Sequence, residues 1–353
     1  MVFCILGDCN RVECHHCFPV KNCREHEICK KDGICDPIFK ILVTGCAGFI
    51  GSHLCEYLLK NTQHVVYGID NINDYYDPSI KESNLFILQN YKRFHYVKED
   101  VLETNKIELW KPDIIVHLAA SAGVRYSLEN PKWYVRNNIE AFVHLLEEAH
   151  KNSIKNIIYA SSSSVYGYQS DKEKELSESD VLSTFNSPYA ASKFCMEIFA
   201  QTYHRLYQMN IVGMRFFTVY GPRGRPDMAP YIFLNKIHAE EPIQKFGDGT
   251  TQRDYTYIDD VIRGIMNIID NIGDLKCEVY NIGNSNPVSL NEMIQTCEQV
   301  VQKKAKVEEL ELQKGDVPFT FANISKAKRH LNYKPITSLF EGLTKMFRSF
   351  TKK

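Results

Sequence analysis

From residue 40 onward the chain alternates between short aliphatic or β-branched runs and longer stretches of mixed polarity. The runs fall at 40–43, 65–69, 94–97, 114–117, 157–160 and 212–215, and each has the length and composition of a strand. Helix-length segments lie between them, including 49–60, 131–151 and 189–207. Strands at this spacing with helical crossovers predict an α/β fold, a doubly wound parallel sheet. After Arg215 the rhythm loosens and Gly and Pro accumulate, as in Gly221-Pro222-Arg223-Gly224-Arg225-Pro226. That change predicts a smaller C-terminal lobe of discontinuous segments, with a cleft between it and the carboxyl edge of the sheet.

A chain of 353 residues with 44% hydrophobic and 24% charged residues is a globular protein, with length enough for one large domain or two. Its formal net charge of −1 provides no global field to recruit nucleic acid or an anionic membrane. No apolar run approaches the length of a membrane span, and Asp8 interrupts the first ten residues before a secretory core develops. The expectation is a cytoplasmic protein.

Seven of the twelve cysteines fall in the first 35 residues, which sets an N-terminal extension of 1–38 apart from the rest. Cys14-His15-His16-Cys17 has the gap of a zinc knuckle, and Cys23 and His26 would complete a ligand set. No second Cys-x-x-Cys half follows, so an unstructured thiol-rich tail is the reading preferred and no metal is assigned. Within the first 35 residues five basic residues are balanced by five acidic ones, which removes the electrostatic case for a nucleic-acid-binding finger.

Thr44-Gly45-Cys46-Ala47-Gly48-Phe49-Ile50-Gly51 lies between the first strand and the first helix. Glycines spaced in threes allow a tight turn, close approach to a pyrophosphate, and packing of helix on strand. The helix N-terminus then offers free N–H groups to the phosphates. Asp70 ends the second strand nineteen residues after Gly51, where a carboxylate binds ribose hydroxyls and repels a 2′-phosphate. Asn71, Asp100, Val101, Leu118, Ala119 and Ala120 complete the expected pocket. The cofactor is therefore read as NAD, on a Rossmann-type domain spanning 39–215, with 216–353 mostly forming the substrate lobe and partly returning to the sheet.

Tyr189 and Lys193 stand four residues apart at the start of a helix, so they share a face. An ammonium beside the phenol, with the positive nicotinamide ring, is expected to lower the tyrosine pKa towards working pH. Ser161-Ser162-Ser163-Ser164 follows the fifth strand and presents hydroxyls at the same edge.

Together these motifs resemble the extended short-chain dehydrogenase/reductase family of nucleotide-sugar epimerases, dehydratases and decarboxylases, from about Lys40 to about Phe347. The stretches 70–77, 122–131 and 215–228 are the most specific part of the likeness, which is to the members that epimerise UDP-glucuronate at C4. The resemblance implies a catalytic set of Ser162, Tyr189 and Lys193, with Arg253 on the diphosphate, Asp316 near the uridine ribose, and a homodimer. The family's dehydratases carry an Asp-Glu pair where Ser163 and Ser164 stand, and its UDP-xylose synthases a Glu at Ser164, so an isomerase is expected. Alternative readings are a decarboxylase, a UDP-hexose 4-epimerase, and an inactive NAD-binding scaffold whose head binds metal.

A 4-keto uronate is a β-keto acid and loses CO₂ when its C5–carboxylate bond aligns with the carbonyl. An epimerase must hold the carboxylate away from that alignment. Thr218 and Arg225 are the candidates, a hydroxyl and a guanidinium suited to a planar carboxylate. Arg125 is expected to orient the substrate or its loop.

Overall fold

Both faces of the sheet are covered, which is why its strands are apolar at consecutive positions. Ile41 and Val43 pack into one buried core with Leu54 and Leu58, whereas Leu42 faces a second core with Phe142 and Met196. The computed structural model describes residues 27–29, 35–167, 174–180, 184–312 and 318–351. The candidate zinc ligands Cys14, Cys17, Cys23 and His26, and the candidate ribose contact Asp316, lie outside those residues.

The extension expected to be an unstructured tail contains a short antiparallel strand pair, Glu27–Cys29 with Cys35–Pro37. The strands of the first half after it are β1 (Lys40–Thr44), β2 (Val65–Ile69), β3 (Phe94–Val97), β4 (Ile114–His117), β5 (Asn156–Ser162) and β6 (Asn210–Phe216). Then come β7 (Thr218–Tyr220), β8 (Pro242–Phe246), β9 (Gln252–Tyr257), β10 (Cys277–Ile282), β11 (Pro287–Ser289) and β12 (Lys306–Leu310). Seven of them form one parallel sheet in the order β10-β6-β5-β4-β1-β2-β3. After β3 the chain crosses to the other side of β1, so the loops leaving β1 and β4 diverge and open a crevice at the carboxyl edge. Past residue 215, β7, β9 and β11 build a three-stranded sheet and β8 pairs with β12, while β10 returns to the large sheet.

Helix α1 (Phe49–Asn61) starts at the glycine turn, and α2 (Pro78–Leu88) is capped by the Asp77 carboxylate accepting from Ser79 N. Arg125 lies on α3 (Val124–Glu129). The continuous helix expected over 131–151 is divided into α4 (Pro131–Tyr134), a π-helical turn (Val135–Glu140) and α5 (Ala141–Lys151). The wide turn carries the buried Asn138, whose amide accepts from Ser121 N at 2.8 Å and donates to Ser192 Oγ at 2.9 Å. That contact joins the turn to α6 (Pro188–Tyr207), the helix of Tyr189 and Lys193. Ser187 caps α6 by accepting from Ala190 N, and Pro188 fits its first turn. Helix α7 (Ile258–Leu275) buries Ile258, Val261, Ile262 and Ile265 in the core shared with α1. Among the described residues no helix is long and apolar enough to cross a membrane.

Candidate active site

The glycine turn is built as its spacing requires. Gly45 has φ +71°, and a Cβ there would lie 2.8 Å from the Ala119 nitrogen on the neighbouring loop. A Cβ on Gly51 would run into the Gly45 carbonyl. Both positions therefore need glycine, one for its backbone angle and one for close packing. The turn opens into a cavity of about 230 Å³ lined by Gly45, Gly48, Phe49, Ile50 and Gly51. Asp70, Asn71, Asp100 and Val101 line its far side, and Leu118, Ala119 and Ala120 line its wall, so the twelve residues read from the strand ends and turn meet in one place.

Asp70 is buried, 8% exposed, and burial raises its pKa. Opposing that, Oδ1 accepts from Ile72 N at 2.9 Å and Oδ2 from Ala47 N at 3.0 Å. The nearby positive charge of Lys81, held by Asn73, also favours the carboxylate. Each oxygen keeps acceptor capacity for a sugar hydroxyl, and a phosphate would meet like charge. This donor set, with a backbone cradle that a side chain would fill, fits NAD.

A second cavity of about 630 Å³ adjoins the first and shares Ile50, Tyr75, Ala160, Phe216 and Arg225 with it. Tyr189, Lys193, Ser162, Ser163 and Ser164 line it, as do Thr218, Arg125 and Arg253 from both sides of the cleft. Ser162 ends β5, and its hydroxyl accepts from Ser164 N at 3.1 Å at the start of a 3₁₀ turn. The same hydroxyl favours the ionised form of the Tyr189 phenol, opposing the effect of its burial. Arg253 is the second residue of β9 and its Nη1 donates to the Gln252 carbonyl, and the Arg125 guanidinium lies 5.4 Å from the centre of the Phe246 ring.

The electrostatics depart from the expectation at one point. Burial raises the Tyr189 pKa, and the influences that oppose it are the Ser162 hydrogen bond and the charge of Arg225. The Lys193 ammonium instead donates to the Ala160 carbonyl at 2.8 Å and contacts Met196 Sδ at 3.7 Å. Burial lowers the Lys193 pKa to about 7, so at neutral pH it is a weakened cation directed at the sheet edge. Arg225 supplies the help that the four-residue spacing assigned to Lys193.

Three contributors, Asp227, Tyr75 and Lys81, were not singled out from sequence. Asp227 accepts both Nε (3.0 Å) and Nη2 (2.5 Å) of Arg225, and the Tyr75 hydroxyl donates to Asp227 Oδ2 at 3.4 Å. Both residues fall inside the specific stretches 70–77 and 215–228, which were the available signal, although two positions two apart in a loop have no set pairing. The same cannot be said of Lys81, one polar residue on an ordinary helix.

A glycine turn, an acid at the end of β2 and a tyrosine–lysine helix at the sheet edge define an NAD-dependent enzyme of nucleotide-sugar chemistry. The profile of the NAD dependent epimerase/dehydratase family matches residues 41–283, and the chain belongs to that family. Among its relatives, UDP-glucuronate 4-epimerase of Thermodesulfobacterium geofontis is 44% identical over 307 residues, 86% of this chain and 93% of that protein. UDP-glucuronate 4-epimerase 4 of Arabidopsis thaliana is 41% identical over 331 residues, 87% of this chain and 74% of that protein. The crystal structure of UDP-glucuronic acid 4-epimerase from Bacillus cereus, in complex with UDP-glucuronic acid and NAD, superposes with a TM-score of 0.83. It is 40% identical, and the likeness covers 89% of this chain and 99% of that one.

Proposed function

We propose that this protein interconverts UDP-glucuronate and UDP-galacturonate by epimerisation at C4. The observation that carries the reading is the position of Arg225, a guanidinium that lines the cavity of Tyr189 and Ser162 as well as the dinucleotide cavity. A neutral hexose offers such a cation no charged partner, whereas a uronate does. The relatives named as UDP-glucuronate 4-epimerases support the same substrate.

NAD, when bound, supplies the acceptor and donor of hydride at the sugar C4. Tyr189, as phenolate, takes the proton of the 4-hydroxyl, and Ser162 holds that oxygen by a hydrogen bond. Lys193 orients the cofactor from the sheet edge. The 4-keto sugar then turns over in the cleft and is reduced on its opposite face. Arg225, Thr218, Ser163 and Ser164 fix the carboxylate, Arg253 and Asp316 hold the diphosphate and uridine, and Arg125 orients the substrate from α3. Serines at 163 and 164 leave no carboxylic acid there for elimination or decarboxylation. Purified protein incubated with UDP-glucuronate should yield UDP-galacturonate; UDP-xylose and CO₂ as main products would overturn the assignment.

We assign residues 39–215 to cofactor binding and most of 216–353 to the sugar nucleotide. A homodimer through α4–α5 and α6 is also proposed, since Trp133, Val135, Ile198 and Leu206 on these helices are exposed. The five described cysteines of the body, Cys46, Cys55, Cys195, Cys277 and Cys297, are all free, which supports the reducing cytoplasm.

A further inference from the structure

Arg225 and Asp227 stand in an irregular loop, where nothing in the backbone fixes a long side chain. A guanidinium has two edges that can take a carboxylate, one made of Nε and a terminal nitrogen and one made of the two terminal nitrogens. Asp227 occupies the first with two hydrogen bonds, 3.0 Å to Nε and 2.5 Å to Nη2. The Tyr75 ring lies 5.5 Å from the guanidinium carbon, covering one face. Gly123 closes the surround: a Cβ there would lie 3.6 Å from Arg225 Nη2 and 2.6 Å from the Tyr75 oxygen. The Arg225 side chain is 20% exposed and that of Asp227 43%, so the pair has a half-buried cation and a wetter acid.

An acid beside an anion-binding cation lowers attraction for a second anion, so Asp227 does not serve affinity. What it supplies is orientation. Resting on the uronate reading above, we propose that Asp227 is a positioning and specificity residue: it turns Arg225 so that the terminal edge meets the uronate carboxylate in one fixed plane. That plane keeps the C5–carboxylate bond away from the C4 carbonyl π system during the 4-keto stage. When the plane is lost, the C5–carboxylate bond breaks and CO₂ leaves. The electron pair passes to the C4 oxygen as an enolate, and C5 then takes a proton from water. Asp227 thus separates an epimerase outcome from a decarboxylase outcome without touching the sugar.

The test uses NAD-loaded full-length protein and UDP-glucuronate labelled with ¹³C at C6, with labelled CO₂ and UDP-galacturonate measured together. For Asp227→Asn, nearly isosteric, the CO₂ fraction should rise about tenfold as the carboxylate loses its fixed plane. The KM for UDP-glucuronate should not increase, because a repelling charge has gone. A purely structural role would raise KM and lower kcat with the CO₂ fraction unchanged, and an unchanged fraction overturns the proposal. Asp227→Glu keeps the charge but moves the fork by one methylene; it should also raise the fraction, and it is the deciding variant if the Asn protein loses its cofactor. Wild-type protein that forms no UDP-galacturonate would refute the substrate reading itself. Wild-type epimerisation with both variants at the wild-type CO₂ fraction refutes this inference alone.

Discussion

Tyr189 is half-buried beside Ser162, and the desolvation of its phenol raises its pKa, so it is held protonated until something removes that cost. Its replacement by Phe keeps the ring packing on Tyr134, 6.0 Å between centroids, and removes the proton acceptor. Turnover of UDP-glucuronate should fall about 10²- to 10⁴-fold while bound NAD, read by its release on denaturation, is retained. Lys193 gives a different observable. The folded chain holds its proton only up to about pH 7, against 10.5 for the ordinary side chain. Across that window the unfolded chain binds more protons, so the contribution of Lys193 to stability is least at and below pH 7 and rises towards pH 10.5. Cofactor-free wild-type protein should therefore gain Tm relative to Lys193→Met as pH increases from 7 to 10, and parallel Tm curves would refute the assignment. The tyrosine, lysine and serines were legible because helical spacing and a strand end fix their edge. The Arg225–Asp227 pairing was not, since residues two apart in a loop have no set relation.

At the level of the element, the turn between β1 and α1 shows how a short motif determines a pocket. The Gly45 angle and the approach of Ala119 leave no room for a side chain, so Gly45→Ala is strained in its backbone and crowded at once. Such a variant should purify with little or no NAD and a lowered Tm, measured against a wild-type sample stripped of its cofactor. A Tm equal to that sample, with normal NAD content, would show the turn to be more yielding than its geometry implies. The strands of the first half were readable because each is a nearly continuous apolar run. β10 was not, because Glu278 and Asn281 break up its apolar run, Cys277-Glu278-Val279-Tyr280-Asn281-Ile282, and its partner β6 is remote in the chain. The π-helical turn at Val135–Glu140 was likewise hidden, since its cause is a tertiary contact of Asn138 rather than local composition.

For the whole molecule, the question is what covers α6 on the side away from the site. Its inner side buries Lys193, Met196, Glu197 and Ala200, whereas Ile198 and Leu206, one face further round, are 47% and 64% exposed. The helices packed beside it add Trp133 at 42% and Val135 at 54%. Large apolar groups on neighbouring helices are the material of a two-fold interface, in which the same surface meets its own copy. Such an interface would also clamp the helix that positions Tyr189 and Lys193, tying assembly to the site. Sedimentation of the wild-type protein should give twice the chain mass. Ile198→Glu combined with Leu206→Glu places like charges across the two-fold axis and should give the single chain mass, with NAD still bound and a lower Tm. A wild-type chain that sediments as a monomer, or a double variant that remains dimeric, would move the interface elsewhere and leave α6 stabilised by its inner face alone.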